Sequence, residues 1–260
     1  MKKIVLFDMD GTLTPARQPM TRDVTDKLQK LQSAGFEIGI VTGSGLDYIE
    51  EQCKDLFGHF SLDRFSIHFL PCNGTKYYKF GEKGFYNIYE NNMREELGEP
   101  NWRRMIRIIT SLQLSLISSN KSIPLSGNFI NYRGSTLNWC PIGRQASDKD
   151  RKEWCLWDKH RWIRHKWIKN IREEFDASSL SNVVVKMGGD TSFDIYPEGW
   201  DKTFAFSNFE DYDKVYFIGD RCGPNGNDKE AYELAGDLGY TTSGPEETIK
   251  IIDQIIMENI

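Results

Sequence analysis

A chain of 260 residues holds more than one small core needs, so one large domain or two modest ones are expected. Hydrophobic residues at 39%, charged residues at 27% and a mean hydropathy of -0.54 describe a water-soluble globular protein, and no apolar run reaches the roughly 18 residues that span a bilayer. A net charge of -5 argues against nucleic acid or an anionic membrane as a partner, and five scattered cysteines without metal-ligand spacing suit reduced thiols in the cytoplasm.

The opening Met1–Phe7 begins like a signal peptide, but Asp8 and Asp10 stop the apolar run, so residues 3–7 are expected to form a buried strand. Thr21 is a candidate helix N-cap, followed by Val24, Leu28 and Leu31 at helical spacing and by Gly35 as a stop. Phe36–Val41 predicts a second strand ending at Thr42-Gly43-Ser44, and a helix follows over about 46–56. The middle of the chain predicts a helix over about 94–118, strands at Asn128–Tyr132 and Leu137–Pro141 around an Arg133-Gly134-Ser135 turn, a long helix over 148–175, and strands at Val183–Met187 and Phe193–Tyr196. Val215–Ile218 then predicts a strand running into Gly219-Asp220, with a helix over about 227–234. Alternating strands and helices at both ends imply a parallel sheet with crossover helices. The expected division is an α/β core, 1–81 and 200–260, with an inserted α+β cap, 82–199, and hinges near Gly81-Glu82 and Glu198-Gly199.

The chemistry starts at Phe7-Asp8-Met9-Asp10-Gly11-Thr12-Leu13-Thr14. Two carboxylates two residues apart at the carboxyl end of a buried strand repel each other, and a hard divalent cation such as Mg²⁺ would resolve the conflict. Asp8 is then placed to attack phosphorus, and Asp10 to carry a proton to or from the oxygen that exchanges the phosphoryl group. Gly11 permits close backbone approach to a phosphate. A strand-to-loop turn with solvated aspartates is the bland alternative for a lone Asp-x-Asp.

This octapeptide resembles the first motif of the haloacid dehalogenase superfamily, and residues matching its other motifs follow in order. Thr42 and Ser44 end the second strand, where hydroxyls hold a phosphate oxygen or cap the next helix. Lys202, in Gly199-Trp200-Asp201-Lys202-Thr203, would pair with the nucleophile and the transferring phosphate; as a lone lysine it would be solvated. Gly219-Asp220 and Asn227-Asp228 add carboxylates at another strand end, giving Asp8, Asp10, Asp220 and Asp228 as the expected metal ligands. The resemblance then narrows to eukaryotic-type phosphomannomutases and spans nearly the whole chain: Leu13-Thr14-Pro15-Ala16-Arg17-Gln18, Pro141-Ile142-Gly143-Arg144 eleven residues after Arg133, Arg151, and Gly188-Gly189-Asp190-Thr191-Ser192-Phe193-Asp194. It implies a Rossmann-like α/β core of the haloacid dehalogenase type with an α+β cap, Mg²⁺, a hexose 1,6-bisphosphate activator, hexose phosphates as substrates, a homodimer through the cap, and a place in GDP-mannose biosynthesis. It also implies substrate roles for Arg17, Arg133, Arg144, Arg151, Ser192 and Asp194. Leu234 departs from the family, standing where an aspartate would serve a second metal.

The arginine assignments make chemical sense in their own right, since a dianionic phosphate remote from the metal needs fixed positive charge and the guanidinium fork supplies it bidentately. Ten of the fourteen arginines fall between Arg94 and Arg172 in an otherwise acidic chain. Most, including Arg103, Arg104 and Arg107, fit a solvated helix face, whereas Arg133, Arg144 and Arg151 lie on or beside expected strands. Ser192 and Asp194 share a strand face by the two-residue period. Trp154, Trp157, Trp162 and Trp167 fit core or partner packing better than base stacking. Three functions compete: a mutase interconverting mannose 6-phosphate and mannose 1-phosphate, a Mg²⁺-dependent sugar-phosphate phosphatase, and a dimeric sugar-phosphate sensor without catalysis. The arginine set favours the first over the second, because a phosphatase has less need of a distal phosphate clamp.

Overall fold

Alternate residues of the opening strand divide between two apolar layers, and the first part of the structure is built outward from that division. The computed structural model describes residues 1–58, 62–119, 123–224 and 226–259. In chain order the strands are β1 Lys3–Phe7, β2 Phe36–Val41, β3 Ile67–Leu70, β4 Lys76–Gly81, β5 Gly84–Glu90, β6 Ile130–Tyr132, β7 Leu137–Trp139, β8 Val183–Gly188, β9 Ser192–Pro197, β10 Lys214–Gly219 and β11 Gly239–Thr241. The helices are α1 Arg22–Ser33, α2 Leu46–Gln52, α3 Lys54–Gly58, α4 Met93–Ser119, α5 Asp148–Arg161, α6 Ile163–Ala177, α7 Lys229–Ala235 and α8 Pro245–Met257, with a 3₁₀ stretch over Lys202–Phe209. The chain divides into one unit of Met1–Glu90 with Gly199–Ile260 and a second of Asn91–Glu198.

The first unit holds a seven-stranded sheet in the order β11-β10-β1-β2-β3-β4-β5. Its strands from β11 to β3 run parallel, and β4 and β5 are antiparallel additions. Val5 and Phe7 pack on one face with Ile38, Ile40, Phe69 and Ile218 against Val24, Leu28 and Leu31 of α1 and Ile252 and Ile255 of α8. Ile4 and Leu6 pack on the other with Val41, Leu70 and Phe217 against Ala205, Phe209 and Ala231. A parallel strand buried on both faces is apolar wherever it is fully covered, which 4–7 and 38–41 display, while the charged Lys3 and Glu37 sit half-buried near the strand starts. The sheet is therefore covered on both sides, and its loops carry chemistry at the carboxyl ends of the parallel strands.

The boundary between the units falls after Glu90, not after residue 81. The hairpin of β4 and β5 pairs from Lys76–Glu90 through Gly81–Gly84, and β4 pairs with β3, so the hairpin completes the first unit's sheet. The second boundary, after Glu198, lies one residue from the expected position.

The second unit is a four-stranded antiparallel sheet, β6-β7-β9-β8. Leu137, Trp139, Phe193 and Ile195 are fully buried on the face that meets α4 and α6. Trp139 stacks on Trp167 and Phe193, and its indole N–H donates to Gln113 of α4 at 2.7 Å. Trp154 is buried, in keeping with a packing role, while Trp162 is 60% exposed. The long helix expected over 148–175 is two helices. Trp162 adopts φ +55°, and the buried Asp158 carboxylate accepts from the Arg164 backbone N–H at 2.8 Å, capping the new start from the preceding helix. The helix expected over 46–56 is likewise two, broken at Cys53, and α4 is interrupted at Gly98 (φ +71°), just before Pro100, whose missing N–H suits a helix start.

Candidate active site

Asp8 follows β1 directly, and its backbone N–H donates to the Ile218 carbonyl at 2.9 Å, continuing the parallel ladder between β1 and β10. Asp220 follows β10, and Asp228 occupies the turn before α7. One oxygen from each of Asp8, Asp220 and Asp228 lies within 4.8 Å of the others. Asp8 and Asp228 are buried and Asp220 half-buried. Burial first, and the Asp228 charge second, raise the Asp8 carboxyl above the usual carboxylate range; the same two causes raise Asp220. The Gly11 backbone at φ +83° lies so close that a Cβ there would sit 2.4 Å from Asp220 Oδ2, so only glycine fits beside the cluster.

Lys202 is 1% exposed, which removes the solvated alternative. Its ammonium donates to Asp8 Oδ1 and Asp228 Oδ1. Burial by itself lowers its affinity for a proton, but the charges of Asp228 and Asp8 outweigh this and hold it above its ordinary value. The second Asp228 oxygen accepts from the Arg221 backbone N–H at 3.0 Å, and Thr12 Oγ1 lies 3.4 Å from Asp8 Oδ2. Three acids face one buried lysine and the half-exposed Arg221, whose Nε lies 3.8 Å from Asp220 Oδ2, which leaves an excess of negative charge in a largely buried pocket. Such an all-oxygen donor set fits a hard divalent cation.

Asp10 does not join this cluster, contrary to its expected place among the ligands. Its Oδ1 accepts from Tyr48 Oη at 2.8 Å and from the Arg17 backbone N–H at 2.9 Å, which turns the carboxylate toward α2. Burial and this bond raise the Tyr48 phenol well above its usual range, so it stays a donor. Tyr48 has no local sequence signal, since its partner is 38 residues away. Arg17, at φ +59°, thus stands beside Asp10 through its backbone.

Thr42 and Ser44 form a tied loop: the Thr42 hydroxyl accepts from the Ser44 N–H at 3.2 Å, and the Thr42 and Ser44 carbonyls accept from Asn73 and Cys72 at 2.8 and 2.9 Å. The N-cap of α2 is Gly45, with no side-chain cap bond, so neither hydroxyl serves as the helix cap.

In the second unit, Arg144 Nη1 donates to Asn138 Oδ1 at 2.8 Å, and Asn138 Nδ2 donates to Asp194 Oδ1 at 2.7 Å. Ser192 Oγ donates to the Gly188 carbonyl at 2.7 Å. Arg133 lies in the turn joining β6 and β7, its N–H donating to the Thr136 carbonyl, and Arg151 lies in the first turn of α5. Arg164 clamps the Gly189 and Ser192 carbonyls with Nη1 while pairing with Asp158 at 2.6 Å. Asn138 and Arg164 are absent from the sequence-derived set; the one local sign of Asn138 is a polar residue between Leu137 and Trp139 in a short apolar strand.

The family model for eukaryotic phosphomannomutase matches residues 24–258. The chain belongs to the eukaryotic phosphomannomutase family. As a member it is an isomerase, an intramolecular phosphotransferase. It is 35% identical to a phosphomannomutase of Dendrobium officinale over 94% of this chain and 90% of that one. It is 32% identical to the phosphomannomutase of Schizosaccharomyces pombe over 98% and 94%, and 34% identical to phosphomannomutase 1 of Mus musculus over 95% and 89%. Among solved structures, an IMP-nucleotidase of Plasmodium falciparum shares the fold with a TM-score of 0.66 at 15% identity, covering 99% of this chain and 68% of that one. A trehalose-6-phosphate phosphatase related protein shares it with a TM-score of 0.53 at 16% identity, over 98% of each. The chain thus shares the mixed α/β fold of these nucleotidase and phosphatase-related structures. Among the described residues of this member, Leu234 is 57% exposed on α7.

Proposed function

We propose that this chain interconverts mannose 6-phosphate and mannose 1-phosphate through a phosphoaspartate at Asp8 and a hexose 1,6-bisphosphate intermediate. The observation that carries the reading is the convergence of Asp8, Asp220, Asp228 and Lys202 at the carboxyl ends of β1 and β10, in a chain of this family. Starting from phosphorylated Asp8, the free hydroxyl of the hexose monophosphate attacks phosphorus. The bond from phosphorus to the Asp8 oxygen breaks, and the hydroxyl proton passes to Asp10. The bisphosphate turns over and returns its other phosphoryl group to Asp8, while its departing oxygen takes the proton from Asp10. Both hydrogen bonds to Asp10 fall on Oδ1, which leaves Oδ2 as the oxygen that carries the proton.

Asp8, Asp220 and Asp228 would hold Mg²⁺, which when bound supplies positive charge against the phosphoryl oxygens. Lys202 holds the same charge from the protein side, and the tied Thr42–Ser44 loop presents hydroxyls to the transferring phosphate. Arg133, Arg144 and Arg151 of the second unit take the distal phosphate, with Ser192 and Asp194 on sugar hydroxyls, and Arg17, beside Asp10 in the first unit, keeps a substrate-binding role. Positioning and charge neutralisation of this kind supply most of what phosphoryl transfer requires.

The proposal extends to a homodimer through residues 91–198 and to a cytoplasmic location. The α4 face bearing Trp102, Ile106 and the 64% exposed Leu114 is the surface such a dimer would cover. No described helix is long and apolar enough to cross a membrane. The test is phosphorus NMR of mannose 1-phosphate with Mg²⁺ and a trace of hexose 1,6-bisphosphate. Mannose 6-phosphate is expected to accumulate to a constant ratio. Release of inorganic phosphate without isomer would replace the mutase by a sugar-phosphate phosphatase.

A further inference from the structure

The four-stranded sheet carries one row of polar side chains across all its strands. Asn131 on β6 stands opposite Asn138 on β7, Asn138 opposite Asp194 on β9, and Asp194 opposite Lys186 on β8. The neighbouring row, Ile130, Trp139, Phe193 and Met187, points to the other face. Asn138 sits in the middle of the polar row and is 3% exposed.

Both ends of its carboxamide are engaged. Oδ1 accepts from the Arg144 guanidinium, and Nδ2 donates to the Asp194 carboxylate. A carboxamide is the neutral group of this size that presents an acceptor to a cation and a donor to an anion at once. Aspartate there would satisfy Arg144 and repel Asp194; leucine would remove the bond that links the two; serine would be too short to reach both. Glycine at 188 completes the setting, since a Cβ there would lie 2.9 Å from the Asp194 carboxyl group.

The geometry points to Asn138 as a positioning residue that fixes the spacing between a phosphate-binding arginine, Arg144, and a hydroxyl-binding carboxylate, Asp194. This rests on the sugar-phosphate reading above and deepens it. A hexose bisphosphate that turns over presents first one phosphate and then the other to the same distal grip. The hydroxyl acceptor must then stand at a distance from the phosphate that serves both orientations. An arginine side chain with several rotatable bonds holds no such distance unless something anchors its fork. Asn138, rigid on a central strand and bonded to both groups, supplies that anchor without touching substrate.

The test uses the full chain with Mg²⁺ and hexose 1,6-bisphosphate, comparing Asn138→Ala with the parent in isomer formation and in calorimetric binding of mannose 6-phosphate. KM and Kd are expected to rise ten- to hundredfold while kcat falls less than fivefold. In an Arg144→Ala background the same substitution is expected to cost less than threefold, because the group it positions is gone. A single variant within threefold of the parent in KM and Kd overturns the assignment, and so does an equal loss in both backgrounds, which marks a merely structural role. If Asn138→Ala does not fold, Asn138→Asp keeps the size and is read by the same two numbers. A parent that binds mannose 6-phosphate without forming isomer refutes the mutase, and the calorimetry still decides on Asn138. A parent that binds no hexose phosphate overturns both.

Discussion

Lys202→Met removes the ammonium from between Asp8 and Asp228 while keeping most of the side chain's volume. Both carboxylates are buried, at 5% and 0% exposure, so neither recovers hydration when its partner goes. Breaking a buried ion pair from one side costs roughly 3–5 kcal/mol, because the remaining charge is uncompensated. For a chain of this size that corresponds to a fall in melting temperature of roughly 10 °C. Protonation of Asp8, whose carboxyl is already raised by burial, relieves part of the loss at low pH, so the measurement belongs at pH 8. Urea unfolding followed by tryptophan fluorescence in EDTA is expected to show the full loss. Millimolar Mg²⁺ is expected to return part of it, since a bound cation offsets the same carboxylates. Adding Asp228→Asn removes one orphaned charge and is expected to recover roughly 1–2 kcal/mol relative to additivity. A Lys202→Met protein within about 1 kcal/mol of the parent in EDTA would refute the charge argument for the whole cluster.

Asp8→Asn is expected to abolish incorporation of phosphate into the protein and isomer formation together, with circular dichroism unchanged; turnover above about one-thousandth of the parent would remove Asp8 as nucleophile. EDTA dialysis is expected to stop the reaction and Mg²⁺ to restore it, and full activity in chelator would exclude the three-carboxylate site from catalysis. His68, bonded to Tyr77 at 2.7 Å and Glu37 at 2.6 Å, has its pKa lowered from 6.5 to about 4, chiefly by burial. The unfolded chain therefore binds the proton first, so this contribution is complete above pH 6.5 and lost as pH falls toward 4, to the extent of about 3 kcal/mol. Stability curves of His68→Gln should be flatter over that window, and superimposable slopes would sink the idea. Arg164→Met leaves the buried Asp158 carboxylate unpaired and should cost roughly 3–5 kcal/mol in urea; a loss below 1 kcal/mol would show that the pair contributes nothing to the second unit.

Several features lie open in the sequence because they are local. The apolar runs at 3–7 and 36–41 and the Val24, Leu28, Leu31 stripe each encode their burial within a few residues. Asp8 at the end of β1 and Asp220 at the end of β10 follow from where the apolar runs at 3–7 and 215–218 stop. Lys202 was assigned through a resemblance, and its 1% exposure is a property of the fold. Other features could not be read that way. Nothing near 76–90 says that this hairpin joins the first unit's sheet, because its partner strand is β3 and pairing registers are not written in either strand alone. The break at Trp162 depends on a buried carboxylate that caps the next helix.

The sequence by itself determined the strands at 3–7, 36–41 and 215–218, the two-carboxylate motif and the family, because periodicity and short motifs act over neighbouring residues. The tertiary structure decided which of those carboxylates converge. It brought Asp8 to Lys202 across 194 positions and Asn138 to Asp194 across 56. It also turned Asp10 aside to Tyr48. These are pairings between side chains far apart along the chain, and their partners are set by strand order and register, which exist once the sheets have formed.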